Sequence, residues 1–228
     1  MEIQNDLTAL YEEAARELRA SNDAKLEDLK WRITRAQVYE HSITPALLAK
    51  LFNETPEWGT ASFAALRTGG FIQHSLSQFG WVRLDPDSAA HYFDILAAIE
   101  AVVSLRCRYL DLRPVLPRLK MHLRAIDRHA KANDVFEVCL NAQRLFLVLV
   151  AAVDAPDLFR DYAAIAKASM VYAWCASLDE NAAASVSTSM RTLVKALADH
   201  DGVTAARTAT FLRGMPSATG NPLIPMSC

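Results

Sequence analysis

The stretch from Leu48 to Val82 constrains the fold more than any other part of the chain. Leu48-Ala49 lies in a short helical run that Thr55-Pro56-Glu57 breaks. A second run, Thr60 to Thr68, points Phe63 and Leu66 inward and stops at Gly69-Gly70, where glycine takes the left-handed turn cheaply. A loosely alternating stretch around Gly80, from Ile72 to Leu84, suits a two-stranded ribbon. Helix, turn, helix, ribbon is the order of a winged helix-turn-helix, an arrangement that commonly reads DNA.

The flanking sequence is helical throughout. Leu7, Leu10, Tyr11, Ala14, Ala15 and Leu18 recur at helical spacing within Asp6 to Ala20. Asn22-Asp23 can cap a helix through Leu26, Leu29, Ile33 and Ala36, and Thr44-Pro45 opens one from Ala46 to Asn53. Asp85-Pro86-Asp87-Ser88 is short, polar and proline-containing, so it marks a boundary. Six helical segments follow, near 88–111, 114–132, 134–153, 155–178, 182–199 and 201–213. The pattern predicts a mostly α chain in three parts. A winged helix-turn-helix with an extra N-terminal helix takes residues 1–84, an antiparallel six- or seven-helix bundle takes 85–213, and a flexible tail takes 214–228.

Composition narrows the setting. Apolar residues make up 52% of 228 and charged residues 22%, enough apolar material for a core and too much for disorder. The clearest apolar run, Leu145 to Val153, is too short to span a bilayer, and the N-terminus has no basic-then-apolar leader. Cys107, Cys139, Cys175 and Cys228 are scattered without a C-x-x-C pair and read as free thiols. These features predict a cytoplasmic chain without membrane contact. Charge is unevenly placed: residues 1–88 hold nine Lys/Arg against thirteen Asp/Glu, a net of −4. Non-specific DNA affinity comes mainly from cations that displace counterions from phosphate, so an acidic winged helix starts at a deficit.

Taken together, the order and intervals resemble the GntR family of bacterial regulators in its FadR/FCD branch. Leu48-Ala49, Phe52-Asn53, Phe63, Leu66, Gly70-Phe71 and Gly80-Trp81-Val82 match the spacing of that family's first domain. Ile99-Glu100, Phe146, Ala196, Asp201 and Ala205-Ala206 match its helical domain, and the resemblance covers about residues 25–213. It implies a homodimer that reads operator DNA and answers an organic small-molecule effector. The departures are as informative. Where the family carries Ser-Arg and a further Arg, this chain has Thr55-Pro56 and Thr60. The expected DNA contacts are therefore Thr55, Thr60, Arg67, Gln73, His74 and Arg83. The family's Asp and three His metal ligands fall at Gln143, Leu147, Met190 and, within one residue, Leu212. These are poor ligands, so the resemblance implies no metal here, and the sequence calls for no cofactor.

The remaining chemistry is sparse. His122 and His129 share a helical face, but Lys120, Arg124, Arg128 and Lys131 flank them, so that face reads as solvated. Glu100 and Arg106 lie on one helix and do not share a face, and whichever points inward needs a partner. Arg106, Gln143, Tyr172, Trp174 and Met190 are the expected ligand-binding residues, with a simply filled core as the equal alternative. No Walker loop, Rossmann fingerprint, Gly-x-Ser-x-Gly or His-Glu-x-x-His occurs, so no catalytic residue is assigned. Two functional readings stay open. One is a ligand-responsive regulator. The other is a repurposed member that no longer binds DNA and serves as a small-molecule-binding, partner-binding or enzymatic protein.

Overall fold

The computed structural model describes residues 2–38, 42–75, 78–179 and 181–214; the tail assigned to 214–228 lies outside the described residues from 215 onward. The first half runs α1 (Glu2–Glu17), α2 (Ala24–Thr34), α3 (Pro45–Phe52), α4 (Pro56–Thr68), β1 (Ile72–Ser75) and β2 (Gln78–Trp81). Local signals explain the starts. Asp23 caps α2, accepting from the amides of Lys25 and Leu26 at 2.9 and 3.1 Å. Thr44 and Thr55 cap α3 and α4 through their hydroxyls, each followed by a proline in the first turn. Thr55-Pro56 thus opens α4 as well as ending α3, so α4 begins four residues before Thr60. Asn53 turns the chain with φ 51°, and the Glu54 amide donates back to Ala49 O at 2.8 Å. Gly59 lies where the two helices cross; a Cβ there would stand 2.3 Å from Pro45 O.

The ribbon pairs antiparallel, Ile72 with Trp81 and His74 with Phe79. The Ile43 amide donates to Phe79 O at 2.9 Å, which ties the segment before α3 to the ribbon edge. Phe63 of α4 meets Phe79 edge-on at 5.1 Å between ring centres, so the ribbon folds back onto α4.

The second half holds α5 (Pro86–Arg106), which continues as a 3₁₀ turn at Cys107–Tyr109, then α6 (Leu116–Lys131) and α7 (Val135–Ala151). It closes with α8 (Pro156–Ile165), α9 (Ala168–Ser177), α10 (Ala182–Ala198) and α11 (Gly202–Arg213). The central helix is α7, buried from Val138 to Val150 except at Arg144. Along it pack α1, α6, α8, α9 and α10, while α5 lies against α11. Buried apolar side chains form one cluster from Tyr11 and Leu18 through Phe71 to Leu212, continuous across both halves.

Three expectations change. The predicted helix 155–178 is two helices, broken at Ala166-Lys167. Nothing there disfavours helix locally. At the break the Ser169 amide, at the start of α9, donates to Gly69 O at 2.9 Å. Gly70, with φ 78°, sits so near that a Cβ would lie 2.8 Å from Ser169 Oγ. The turn after α4 docks into that gap. Second, His122 is not solvated: it is 5% exposed, and Tyr11 of α1 covers it with a 2.9 Å hydrogen bond to Nε2. Third, one stretch, Ser88–Tyr109, is long and apolar enough to cross a bilayer by length and composition. It nonetheless carries the buried, ion-paired Glu100 and lies along α11.

Candidate functional site

The expected DNA contacts of the winged half lie on its surface. Arg67, Gln73, His74 and Arg83 are all exposed, on the last turn of α4, on β1 and just past β2. Thr60 is exposed, and its hydroxyl donates to Pro56 O at 2.9 Å. Thr55 is held by its capping bond to Trp58 N at 3.2 Å. Thr60 and Arg67 are seven residues apart, two turns, so they share a side of α4 and stand about 10 Å apart along it. Trp58, an unexpected residue beside a DNA groove, turns inward: its Nε1 donates to Asp23 Oδ2, and its ring packs on Phe52. Glu54 ion-pairs with Lys25, which neutralises one of the acidic residues beside the turn. Glu57 is exposed in the first turn of α4.

The bundle holds a buried polar centre. Arg213, at the last position of α11, donates from Nε to Glu100 Oε2 at 3.0 Å and from Nη2 to Oε1 at 2.5 Å. Nη2 also donates to Gln143 Oε1 at 2.7 Å. Gln143 Nε2 donates to Tyr162 Oη at 2.8 Å, and that hydroxyl donates to Glu100 Oε1 at 2.5 Å. The guanidinium lies 4.5 Å from the Trp174 ring centre and 5.2 Å from that of Phe146. Burial opposes the charge on Arg213, but Glu100 and Tyr162 together more than offset this and drive its pKa up; burial beside Glu100 raises the Tyr162 hydroxyl. Two buried donors, Arg213 Nη1 and Trp174 Nε1, find no acceptor among the described residues.

The expected ligand residues separate accordingly. Gln143 and Trp174 belong to this centre, and Met190 is fully buried on α10. Arg106 does not: it is exposed on the outer side of α5, and the inward charge on that helix is Glu100. Tyr172 faces the other way, into the winged half, where its hydroxyl donates to Glu27 and its ring packs on Trp31, Phe71 and Phe136. Metal does not fit this centre. Gln143, Leu147, Met190 and Leu212 offer no good donor set, and a fixed guanidinium already holds the carboxylate. Sequence reasoning missed Arg213 because a cation in a last helical turn usually serves the helix dipole from the surface. The match within one residue of Leu212 was the only signal pointing to it.

Where the halves meet, Lys30 is 5% exposed, 3.4 Å from Glu27 and 5.5 Å from the Tyr172 ring centre. A cleft of about 340 Å³ opens beside it, lined by Glu17, Arg19, Lys30, Thr68 and Ala168.

No family model matches the chain, and no curated protein matches it. Solved structures do. Lar of Listeria monocytogenes, described as controlling expression of the agr system and mediating virulence, superposes with a TM-score of 0.63 at 15% identity, covering 86% of this chain and 94% of that one. E. coli McbR/YncC gives 0.56 at 13% identity, covering 90% and 93%. A chain from Rhodococcus sp. RHA1 described as a GntR transcriptional regulator gives 0.55 at 13%, covering 82% and 91%. At such identities the likeness speaks to fold alone, and the chain shares the fold of these GntR-type regulators over 91–94% of their length.

Proposed function

We propose that this chain is a homodimeric, cytoplasmic transcription regulator that reads operator DNA and answers an organic effector without a bound metal. One observation carries the reading: α9 touches both functional regions at once. Its Trp174 stacks on Arg213 in the bundle centre, its Tyr172 bonds Glu27 of α2, and its Ser169 amide bonds Gly69 just past the end of α4. A ligand that shifts α9 by a fraction of an ångström therefore shifts the seat of the DNA-reading half. The effector would bear acceptor oxygens for Arg213 Nη1 and Trp174 Nε1. The winged helix would meet DNA through Thr60, Arg67, Gln73, His74 and Arg83. Paired copies would place two such surfaces on a two-fold operator. The exposed Val102 and Leu105 on α5 suit contact with a second copy.

The second reading, a protein with this fold that has given up DNA, draws on the net −4 of residues 1–88 and on exposed Glu57 at the start of α4. Anisotropy measurements with a labelled duplex separate the two. Arg67→Ala and Arg83→Ala should each weaken binding about tenfold, the loss of one phosphate or base contact. Equal binding by both variants and the unaltered chain would place DNA contact elsewhere or nowhere.

A further inference from the structure

Charge is unbalanced along the groove between α6 and α7. A cavity of about 480 Å³ opens there, lined by Met121, His122, Arg124, Arg128, Asn141 and Arg144, with no Asp or Glu in its wall. Neighbouring cations are matched: Arg118 bonds Glu12 Oε1 at 3.1 Å, and Arg191 bonds Asp127 Oδ1 at 2.9 Å. The groove's own cations are not. Among the described residues Arg124 and Arg144 make no hydrogen bond or ion pair, and Arg128 reaches only the His129 ring at 3.2 Å. Arg144 is half-buried, and burial pulls its pKa down, an effect that the charge on Glu137, seven residues before it on α7, only partly opposes. An unmatched charge in that position is costly unless an anion completes it. The floor offers no carboxylate of its own. Asn141 spends its amide on Glu137 O at 2.8 Å and Glu137 Oε2 at 3.2 Å, and His122 is held by Tyr11.

We propose that this groove binds a small molecule carrying two or more phosphate or carboxylate groups. Three guanidiniums from two helices supply planar, forked donors, which suit such oxygens better than point charges do. The volume lies within the usual range of small-ligand sites. Arg144 leaves α7 one residue, about 100°, round from Gln143, so the groove and the buried centre lie on different sides of one helix. The site is therefore separate from the effector position above and stands whether or not the chain binds DNA.

Calorimetric titration of the full chain with pyrophosphate, at an ionic strength fixed with sodium chloride, tests this. Saturable binding tighter than that of inorganic phosphate is expected. Arg144→Met and Arg124→Met should each weaken it about tenfold, the loss of one charge-assisted pair. Arg207→Met, which removes an exposed arginine from α11, should leave it unchanged. Arg124 lies on the exposed rim, so its variant remains informative if Arg144→Met does not fold. No saturable heat, or equal affinity in Arg124→Met and the unaltered chain, would overturn the proposal.

Discussion

Arg213 and Glu100 make up the most consequential pair of side chains in the bundle. Both are almost fully buried, and each satisfies the other with two-pronged geometry. Removing one partner strands the other charge in the core. Arg213→Met should therefore cost about 3–5 kcal/mol by denaturant unfolding. The double change Glu100→Leu with Arg213→Met should recover much of that loss, because an apolar pair leaves no buried charge. A double variant as unstable as the single one would mean that packing, and not charge, dominates the site. His122 gives a pH-dependent counterpart. Burial holds its pKa down from 6.5 to about 4, with Arg144 and Arg118 adding to the effect against Asn141. A base depressed in the folded state favours folding while it is neutral, so its contribution is whole above pH 6.5 and drains away as pH falls toward 4. The full effect is on the order of 3 kcal/mol. His122→Gln should flatten the stability profile across that window; an unchanged slope would mean that other groups set it.

At the scale of elements, α9 joins the two halves, and the crossing of α3 and α4 sets the geometry of the helix-turn-helix. Tyr172→Phe removes the hydroxyl that meets Glu27 and should cost about 1–3 kcal/mol. It should also speed amide exchange at Ser169, whose N–H bonds Gly69 O, if the contact holds the winged half in place. Gly59→Ala would drive a Cβ to within 2.3 Å of Pro45 O, so it should destabilise the first half by about 1–3 kcal/mol, measurable as a lower Tm. The helix–turn–helix–ribbon was legible in the sequence because its signals are local: the Thr44-Pro45 start, the Thr55-Pro56 break and the Gly69-Gly70 stop; the Asn53 turn and the start of α4 at Pro56 were not read. The break between α8 and α9 was not. Ile165-Ala166-Lys167-Ala168 favours helix, and only the docked Gly69-Gly70 turn interrupts it. His122 misled for the same reason. Charged neighbours on its own helix predicted water, whereas the cover comes from α1, more than a hundred residues away. Arg213 was hidden among surface-like last-turn cations, and Arg106, expected to line a ligand site, lies exposed on a helix whose buried charge is Glu100.

For the whole molecule, a fold shared with GntR-type regulators is paired with an acidic first half, net −4 over residues 1–88. On the proposed function, DNA contact falls to a few exposed residues, with Arg67 and Arg83 the cations among them. A dimer then neutralises roughly four phosphates, so log affinity should fall with log salt at a slope of about −4, shallower than for regulators with richer basic surfaces. Selection of bound duplexes from a random pool at low salt tests this most directly. Enrichment of a two-fold sequence is expected, bound with that shallow slope and lost in the Arg67→Ala, Arg83→Ala double variant. A pool that emerges without any preferred sequence would contradict it.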